Sequence, residues 1–130
     1  MKKNIRGLIL FSKSENELTD HDYSVKRLLD VARRKNIEIK VVRPEQFELV
    51  VTRSDTKSIL IDDIPEPLPD FVIPRMGSKT SYYAFSVIRQ LQYLGSYVCN
   101  DSTAIYSVKD KLYMHQLLSR SKLSSPKTML

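Results

Sequence analysis

The sequence contains few of the residues on which disulfide-linked, zinc-binding and glycine-rich-loop proteins depend. Its 130 residues include one cysteine, two histidines, three glycines and no tryptophan. Cys99 alone excludes an internal disulfide, and with only His21 and His115 beside it the chain lacks the ligands of a Cys/His zinc site. Because 42% of its residues are apolar, the chain is predicted to fold as one packed domain rather than remain disordered.

Long hydrophobic runs are missing as well. The longest apolar run near the N-terminus, residues 8–11, is far shorter than a signal-peptide core or a membrane span. We therefore expect a soluble protein with no membrane partner. The single thiol favours the reducing cytoplasm as its compartment.

Acidic residues are scarce in the second half of the chain. The formal net charge is +6, and residues 66–130 carry eight basic but only four acidic side chains. An electropositive C-terminal half suits an anionic partner, which could be a nucleotide phosphate, an acidic polypeptide or a nucleic acid. The alternative is a solvated basic surface without a partner.

The first forty residues show a strand–helix–strand pattern. An apolar run at residues 7–11 predicts a strand buried on both faces, and alternation at residues 37–41 predicts a second strand. Four apolar residues at helical spacing predict the helix between them: Val25, Leu28, Leu29 and Ala32. This βαβ unit predicts two parallel strands joined by a right-handed crossover.

The hydrophobic period changes between residues 47 and 69. Two β-rich stretches, 49–52 and 58–61, predict strands. The hairpin turn could lie at residues 54–56 or at residues 62–63, so the pairing of the strands stays open. Three prolines at alternate positions from Pro65 onward predict irregular backbone as far as residue 70.

The rest of the chain returns to strand and helix patterns. Residues 71–74 predict another buried strand, and a second helix is predicted from apolar residues at helical spacing: Ala84, Val87, Ile88 and Leu91. The remaining predicted elements are a helix end at Gly95, a strand at 97–99, a helical region from Ser102 or Thr103 to about Ser121, and an extended piece at 127–130. The fold class is therefore α/β, with an open, mainly parallel sheet flanked by helices and an inserted β-hairpin.

In open α/β sheets, ligands bind beyond the carboxyl ends of the strands, at a topological switch point. The loop after the first strand, residues 12–22, contains neither G-x-G-x-x-G nor G-x-x-x-x-G-K-[ST]. Both motifs bring backbone close to phosphate, so their absence argues against a dinucleotide-dependent dehydrogenase and a P-loop ATPase.

The loop after the strand at residues 71–74 is the stronger candidate site. Arg75 follows that strand directly, and five small or cationic residues lead into the next helix: Gly77, Ser78, Lys79, Thr80 and Ser81. Cations and small hydroxyl residues at a helix start predict an anion-recognition surface. The alternative is a capped helix with two solvated cations, but the rigid Pro74 before Arg75 favours a binding role for Arg75.

Lys111 is the third candidate, beside the apolar stripe of a helix predicted over residues 108–121. A charge there either extends outward into solvent or meets an anion. His115, one turn away, is interpreted as a hydrogen-bonded structural histidine rather than a general base. His21 has no evident base partner, and Cys99 is interpreted as a small buried hydrophobe. No arrangement of carboxylates predicts a metal site or a complete catalytic centre.

Six stretches carry a more specific pattern. They are Y-S-V-K-R-L-L-D-V-A at 23–32, D-F-V-I-P-R-M-G at 70–77, L-G-S-Y-V-C-N at 94–100, A-I-Y-S-V-K-D-K-L at 104–112, Q-L-L at 116–118 and P-K-T at 126–128. In this order and spacing they resemble the N-terminal domain of RimK-type ATP-grasp ligases. The departures are local: Asn36 stands where a helix-ending glycine is common, and residues 47–69 match only in type.

The resemblance implies an enzyme that joins a carboxylate acceptor to an amine, with ATP and Mg²⁺ as cofactors and an acyl phosphate as intermediate. The best-known member adds glutamate to the C-terminus of a ribosomal protein, and relatives glutamylate coenzymes. Residues 1–101 would form the pre-ATP-grasp domain, and residues 102–130 would lead into an ATP-grasp domain outside this chain. The chain alone is then expected to be inactive, and uncovered apolar surface would allow a homo-oligomer.

The resemblance also assigns roles to the candidate residues. Lys111 matches a D-K lysine that approaches ATP phosphates, and Arg75 matches a P-R-x-G arginine placed to bind the acceptor or an acyl-phosphate oxygen. Gly77, Ser78 and Lys79 would complete that acceptor wall. Two alternatives remain: another ATP-grasp branch, such as D-alanine–D-alanine ligase or glutathione synthetase, and a stand-alone basic module for RNA or an acidic peptide. Against the basic module, the tyrosines form no stacking platform in the sequence.

Overall fold

A computed structural model describes residues 4–51 and 58–129. The strands are β1 (Arg6–Leu10), β2 (Glu38–Val42), β3 (Phe47–Glu48), β4 (Ser58–Ile61), β5 (Ile64–Pro67), β6 (Phe71–Pro74) and β7 (Tyr97–Val98). The helices are α1 (Tyr23–Arg34), α2 (Tyr82–Tyr93), α3 (Ser102–Lys109) and α4 (Lys111–Arg120). None of the helices within the described ranges combines the length and the apolar character needed to cross a membrane.

The main sheet has the strand order β2-β1-β6-β7, and all its pairs are parallel. The predicted βαβ unit is confirmed, with Leu8 opposite Lys40 in β2 and opposite Val72 in β6. The chain leaves β1 for β2 on one side and later crosses to β6 on the other side. The switch point therefore lies between the carboxyl ends of β1 and β6.

The two faces of this sheet are covered by different helices. Leu8 and Leu10 pack with the buried stripe of α2, whereas Ile9 packs with that of α1. The alternation follows from the two-residue period of a strand, and it explains why residues 7–10 of β1 are all apolar. At the amino end of β1, Gly7 lies under the Phe71 ring, where a Cβ atom would overlap the ring.

The second sheet is antiparallel, with the order β3-β4-β5. Its hairpin turn is formed by Asp62 and Asp63, whose φ angles are 51° and 63°. Two consecutive positive φ angles are typical of a type I′ turn, whose twist suits a two-residue hairpin. The structure thus pairs β4 with β5; the alternative turn at residues 54–56 lies outside the described residues.

Two predictions for this segment were wrong. Pro65 and Pro67 lie within β5 rather than in irregular backbone. Because β5 has only one neighbour in its sheet, a missing N–H can be directed away from β4 without loss of a ladder bond. Of the strand predicted at residues 49–52, residues 49–51 form no strand and residue 52 lies outside the described residues. The strand is instead Phe47–Glu48, which pairs with Ile61 and Leu60.

The C-terminal helical region is divided in two, whereas a single helix was predicted across residues 108–121. Asp110 has an extended conformation (φ −84°, ψ 102°), and its Oδ1 atom accepts a hydrogen bond of 3.0 Å from the backbone N–H of Tyr113. Asp101, not Ser102 or Thr103, caps α3 by accepting from the Ala104 N–H at 2.8 Å. Aspartate is a strong N-cap, so each of these residues starts a new helix. Within the described residues, 123–129 form no strand.

Helix ends elsewhere agree with the sequence interpretation. Gly95 follows α2 with a φ of +107°, a backbone conformation that residues with a side chain rarely adopt. Asn36 follows α1 with a φ of +53°, the left-handed conformation that a helix-ending glycine commonly takes. Asparagine tolerates this region better than most residues with a side chain, so α1 ends here without a glycine.

Candidate functional site

Arg75 spans the switch point at the carboxyl edge of the main sheet. Its backbone N–H donates to the Leu10 carbonyl at 2.8 Å, which extends the β1–β6 ladder one residue beyond β6. Its guanidinium Nη2 donates to the Ser24 hydroxyl, 3.2 Å away on the first turn of α1. The next residue, Met76, is buried in the core. Arg75 therefore has a fixed backbone and an exposed side chain that reaches from β6 to α1.

The loop that follows Arg75 uses part of its polar groups for its own structure. The Thr80 hydroxyl donates to the Gly77 carbonyl at 2.7 Å, and the Ser81 hydroxyl caps α2 by accepting from the Ala84 N–H at 3.1 Å. Gly77 has a φ of +55°. Ser78 is exposed in the 3₁₀ turn Gly77–Lys79. Thr80 and Ser81 are thus structural, and the front of the loop is open to a ligand.

A groove of about 650 Å³ lies between this loop and the junction of α3 and α4. Its lining residues are Pro74, Arg75, Met76, Gly77, Ser78, Thr80, Ile105, Val108, Lys109 and Lys111. The structure therefore brings Arg75, Gly77 and Ser78 together with Lys111. Lys79 is exposed and is not among the described residues that line the groove. None of the described lining residues is a carboxylate, so the groove favours an anionic ligand.

Comparison with known families identifies this architecture. The model of the RimK PreATP-grasp domain matches residues 9–105, about three quarters of the chain. The chain belongs to the RimK pre-ATP-grasp domain family. The matched region contains Arg75 and the loop that follows it, whereas Lys109 and Lys111 lie beyond it.

Curated relatives agree with this membership. A "Probable alpha-L-glutamate ligase" of Marinomonas sp. is 37% identical over 106 residues, which are 82% of this chain and 35% of the relative. A "Probable alpha-L-glutamate ligase 1" of Shewanella amazonensis is 35% identical over 107 residues, and a "Probable alpha-L-glutamate ligase" of Teredinibacter turnerae is 35% identical over 106, with the same shares. The chain thus spans about a third of the length of these relatives.

Lys109 is a groove residue that the sequence analysis missed. Its Nζ atom lies over the Phe85 ring of α2, 5.3 Å from the ring centroid. Because a single helix was predicted through residue 110, Lys109 and Lys111 were not expected to line one groove. The signal was present in the K-D-K sequence, since an aspartate that starts a new helix places the two flanking lysines at the same junction.

An ion pair between two residues of the same loop, Lys13 and Asp22, stabilises residues 12–22 of this RimK pre-ATP-grasp domain. Lys13 Nζ donates to Asp22 Oδ2 at 2.7 Å, and the backbone N–H of Thr19 donates to the same oxygen at 2.8 Å. The bond from Lys13, followed by that from Thr19, lowers the pKa of Asp22 to about 2. Lys13 is therefore committed to an internal partner.

We expect this ion pair to make the stability of the domain dependent on pH. The folded-state pKa of Asp22, about 2, is below its ordinary value of 3.8. The contribution of Asp22 to the stability of the folded state is therefore fully present above pH 3.8, its ordinary pKa, and is lost as the pH falls through about 2. Lys13→Met should raise the pKa of Asp22, and Lys35→Met, at the far end of α1, should leave it unchanged. NMR titration of the Asp22 carboxyl carbon measures both, and titration of the wild-type group at 3.8 would contradict the assignment.

Two of the weaker candidates, Cys99 and His115, differ from their sequence interpretation. Cys99 is exposed, so its interpretation as a buried hydrophobe was wrong. The Nδ1 atom of His115 is buried and has no hydrogen-bond partner among the described residues, which contradicts a hydrogen-bonded structural role for that atom. His21 is exposed in the 3₁₀ turn Asp20–Asp22. In the described part of the chain, no three His, Cys, Asp or Glu residues are grouped so that they could hold a metal ion.

Proposed function

We propose that this chain is the N-terminal domain of an ATP-dependent carboxylate–amine ligase that adds glutamate to an acceptor. The observation that carries the proposal is the groove that joins Arg75 to Lys111 in a RimK pre-ATP-grasp domain. The names of the relatives support glutamate as the added amino acid. The acceptor is a protein, such as the C-terminus of a ribosomal protein, or a coenzyme.

The chemistry supplied by ATP is transfer of its γ-phosphoryl group to a carboxylate oxygen, after which the amine displaces phosphate from the acyl carbon and loses a proton. The residues of this chain bind and orient the reactants. Arg75 offers a planar pair of N–H donors to a carboxylate or acyl-phosphate oxygen. Lys111, exposed at the start of α4, offers a point charge to phosphate oxygens.

The groove fits this assignment in charge and in shape. Gly77 has no side chain and Ser78 a small one, so an oxyanion can approach the backbone of the loop beside Arg75. Lys79 is exposed next to the groove, and we assign to it a contact with the outer part of a large acceptor. We assign the Mg²⁺ ligands and most ATP contacts to residues outside this chain, and on that basis the chain alone has no ligase activity.

The two proposed segments, 1–101 and 102–130, pack against each other through polar and aromatic contacts. Gln92 Oε1 accepts from both the backbone N–H and the hydroxyl of Ser102, each at 3.1 Å. The Phe85 and Tyr106 rings meet edge to face with centroids 5.7 Å apart. These contacts support a model in which α3 and α4 carry Lys111 to the groove of the first segment.

We expect Lys111→Ala, in a ligase that contains this domain, to raise the KM for ATP by about tenfold with a smaller change in kcat. The loss of one charge-assisted phosphate contact accounts for that magnitude. Steady-state kinetics with glutamate and varied ATP measure it. Lys122→Ala, which removes an exposed lysine after α4, is the matched control and should leave the KM unchanged. Equal KM values for Lys111→Ala and Lys122→Ala would sink the ATP-facing role of Lys111.

A further inference from the structure

Three cations line the groove: Arg75, Lys109 and Lys111. The proposed function gives a role to Arg75 and Lys111 but none to Lys109. Arg75 lies on the side of β6, whereas Lys109 and Lys111 lie at the end of α3 and the start of α4. Like charges that share one groove repel one another, most strongly at low ionic strength, and an anion between them relieves the repulsion. Since none of the described lining residues is a carboxylate, an anionic ligand in the groove would balance this charge.

Lys109 contacts an aromatic ring of α2. Its ammonium group lies over the face of Phe85, which is half-buried on α2. The edge of a second ring, Tyr106, contacts Phe85 at an interplanar angle of 70°. A cation over a ring face is attracted by the ring quadrupole, so Phe85 favours a Lys109 conformation held against α2 over one in bulk water.

The surface between the cations is apolar. Met76 is buried, Ile105 is partly buried and Val108 is exposed, and all three line the groove. An apolar surface with cations on both sides suits a ligand that carries separate oxyanion groups on a carbon or phosphate chain. A single small anion would contact only one side.

We infer that Lys109 is a further binding residue of this site and that the occupant carries at least two oxyanion groups, one bound by Arg75 and another by Lys109 with Lys111. The inference rests on the proposed function, because it takes the groove as the site of acceptor or phosphate binding. Phe85 acts as a positioning residue for Lys109. The shared ligand chemistry is that of a polyanion, either a polyphosphate or a polycarboxylate.

Calorimetric titration of the 130-residue chain at low ionic strength tests the inference with three probes: tripolyphosphate, tricarballylate and acetate. We expect Lys109→Gln to weaken binding of the preferred polyanion by about three- to tenfold and to leave acetate unaffected. Lys109→Arg should restore most of the affinity. Phe85→Leu should weaken the polyanion alone, whereas a merely structural role of the ring would weaken all probes together.

The matched control is Lys35→Gln, which removes the same charge at the end of α1, on the opposite edge of the sheet. If Lys109→Gln binds the polyanions as Lys35→Gln does while Arg75→Ala has lost affinity, the role of Lys109 is overturned and the proposed function stands. If Arg75→Ala also behaves as the control, or no polyanion binds, the proposed function of the groove is overturned as well. Preference for tripolyphosphate or for tricarballylate identifies the source of the anionic groups.

Discussion

In a ligase that contains this domain, Arg75→Ala is expected to lower kcat/KM for the acceptor by roughly 10²- to 10³-fold, the loss typical of a preorganised donor to a developing oxyanion. The backbone of Arg75 is fixed by its bond to Leu10, and its guanidinium is oriented by Ser24. An arginine held in this way needs little reordering when it meets an acceptor carboxylate. Steady-state kinetics with varied acceptor, at saturating ATP, measure the effect.

Two further variants separate charge from geometry at this position. Arg75→Lys keeps the charge but loses the two-pronged donor, so it should recover only part of the activity. Arg89→Ala removes an exposed arginine from α2, outside the described lining of the groove, and should leave kcat/KM unchanged. Full activity of Arg75→Ala would refute the assignment of the acceptor wall, provided that circular dichroism shows the same folded state.

The largest expected effect on stability is that of Ile88→Ala. Ile88 is completely buried on α2, in the cluster that joins this helix to Leu8, Leu10 and Val72 of the main sheet. The substitution removes buried methyl and methylene groups and leaves a cavity, so the free energy of unfolding should fall by about 2–5 kcal/mol. Since small domains are stable by only about 5–15 kcal/mol, this is a large fraction of the total. Urea denaturation at 25 °C measures it.

The same substitution at an exposed isoleucine gives the control. Ile64 on the edge strand β5 is 61% exposed, so Ile64→Ala should change the free energy of unfolding by less than about 1 kcal/mol. The difference between the two variants then measures burial rather than the chemistry of the replacement. Equal losses at Ile64 and Ile88 would mean that α2 does not pack on the sheet as described.

The elements that pack on the main sheet were predictable because their burial is periodic. The stripes of α1 and α2 repeat every three to four residues, and residues 7–10 of β1 are all apolar because both faces of the strand are covered there. The hairpin was not predictable in the same way. Turn-forming residues occur at two places in that segment, and only the pairing of β4 with β5 shows that Asp62 and Asp63 form the turn.

The division between α3 and α4 shows a second limit. Apolar residues continue through residue 110 with a helical period, so the pattern favoured one helix. The competing effect was local: Asp110 accepts the bond from the Tyr113 N–H and takes an extended conformation. The prolines of β5 show the same kind of error, since their position on an edge strand depends on neighbours that lie elsewhere in the chain.

The amino-acid order alone was sufficient for the fold class, for the family resemblance and for the types of residue that end the strands, including Arg75. These features are local or periodic, so a short window of residues carries them. The meeting of Arg75 with Lys109 and Lys111 in one groove needed the folded chain. It depends on a crossover that places β6 beside β1 and on the extended Asp110 that separates α3 from α4. Long-range packing decides how these two segments come together.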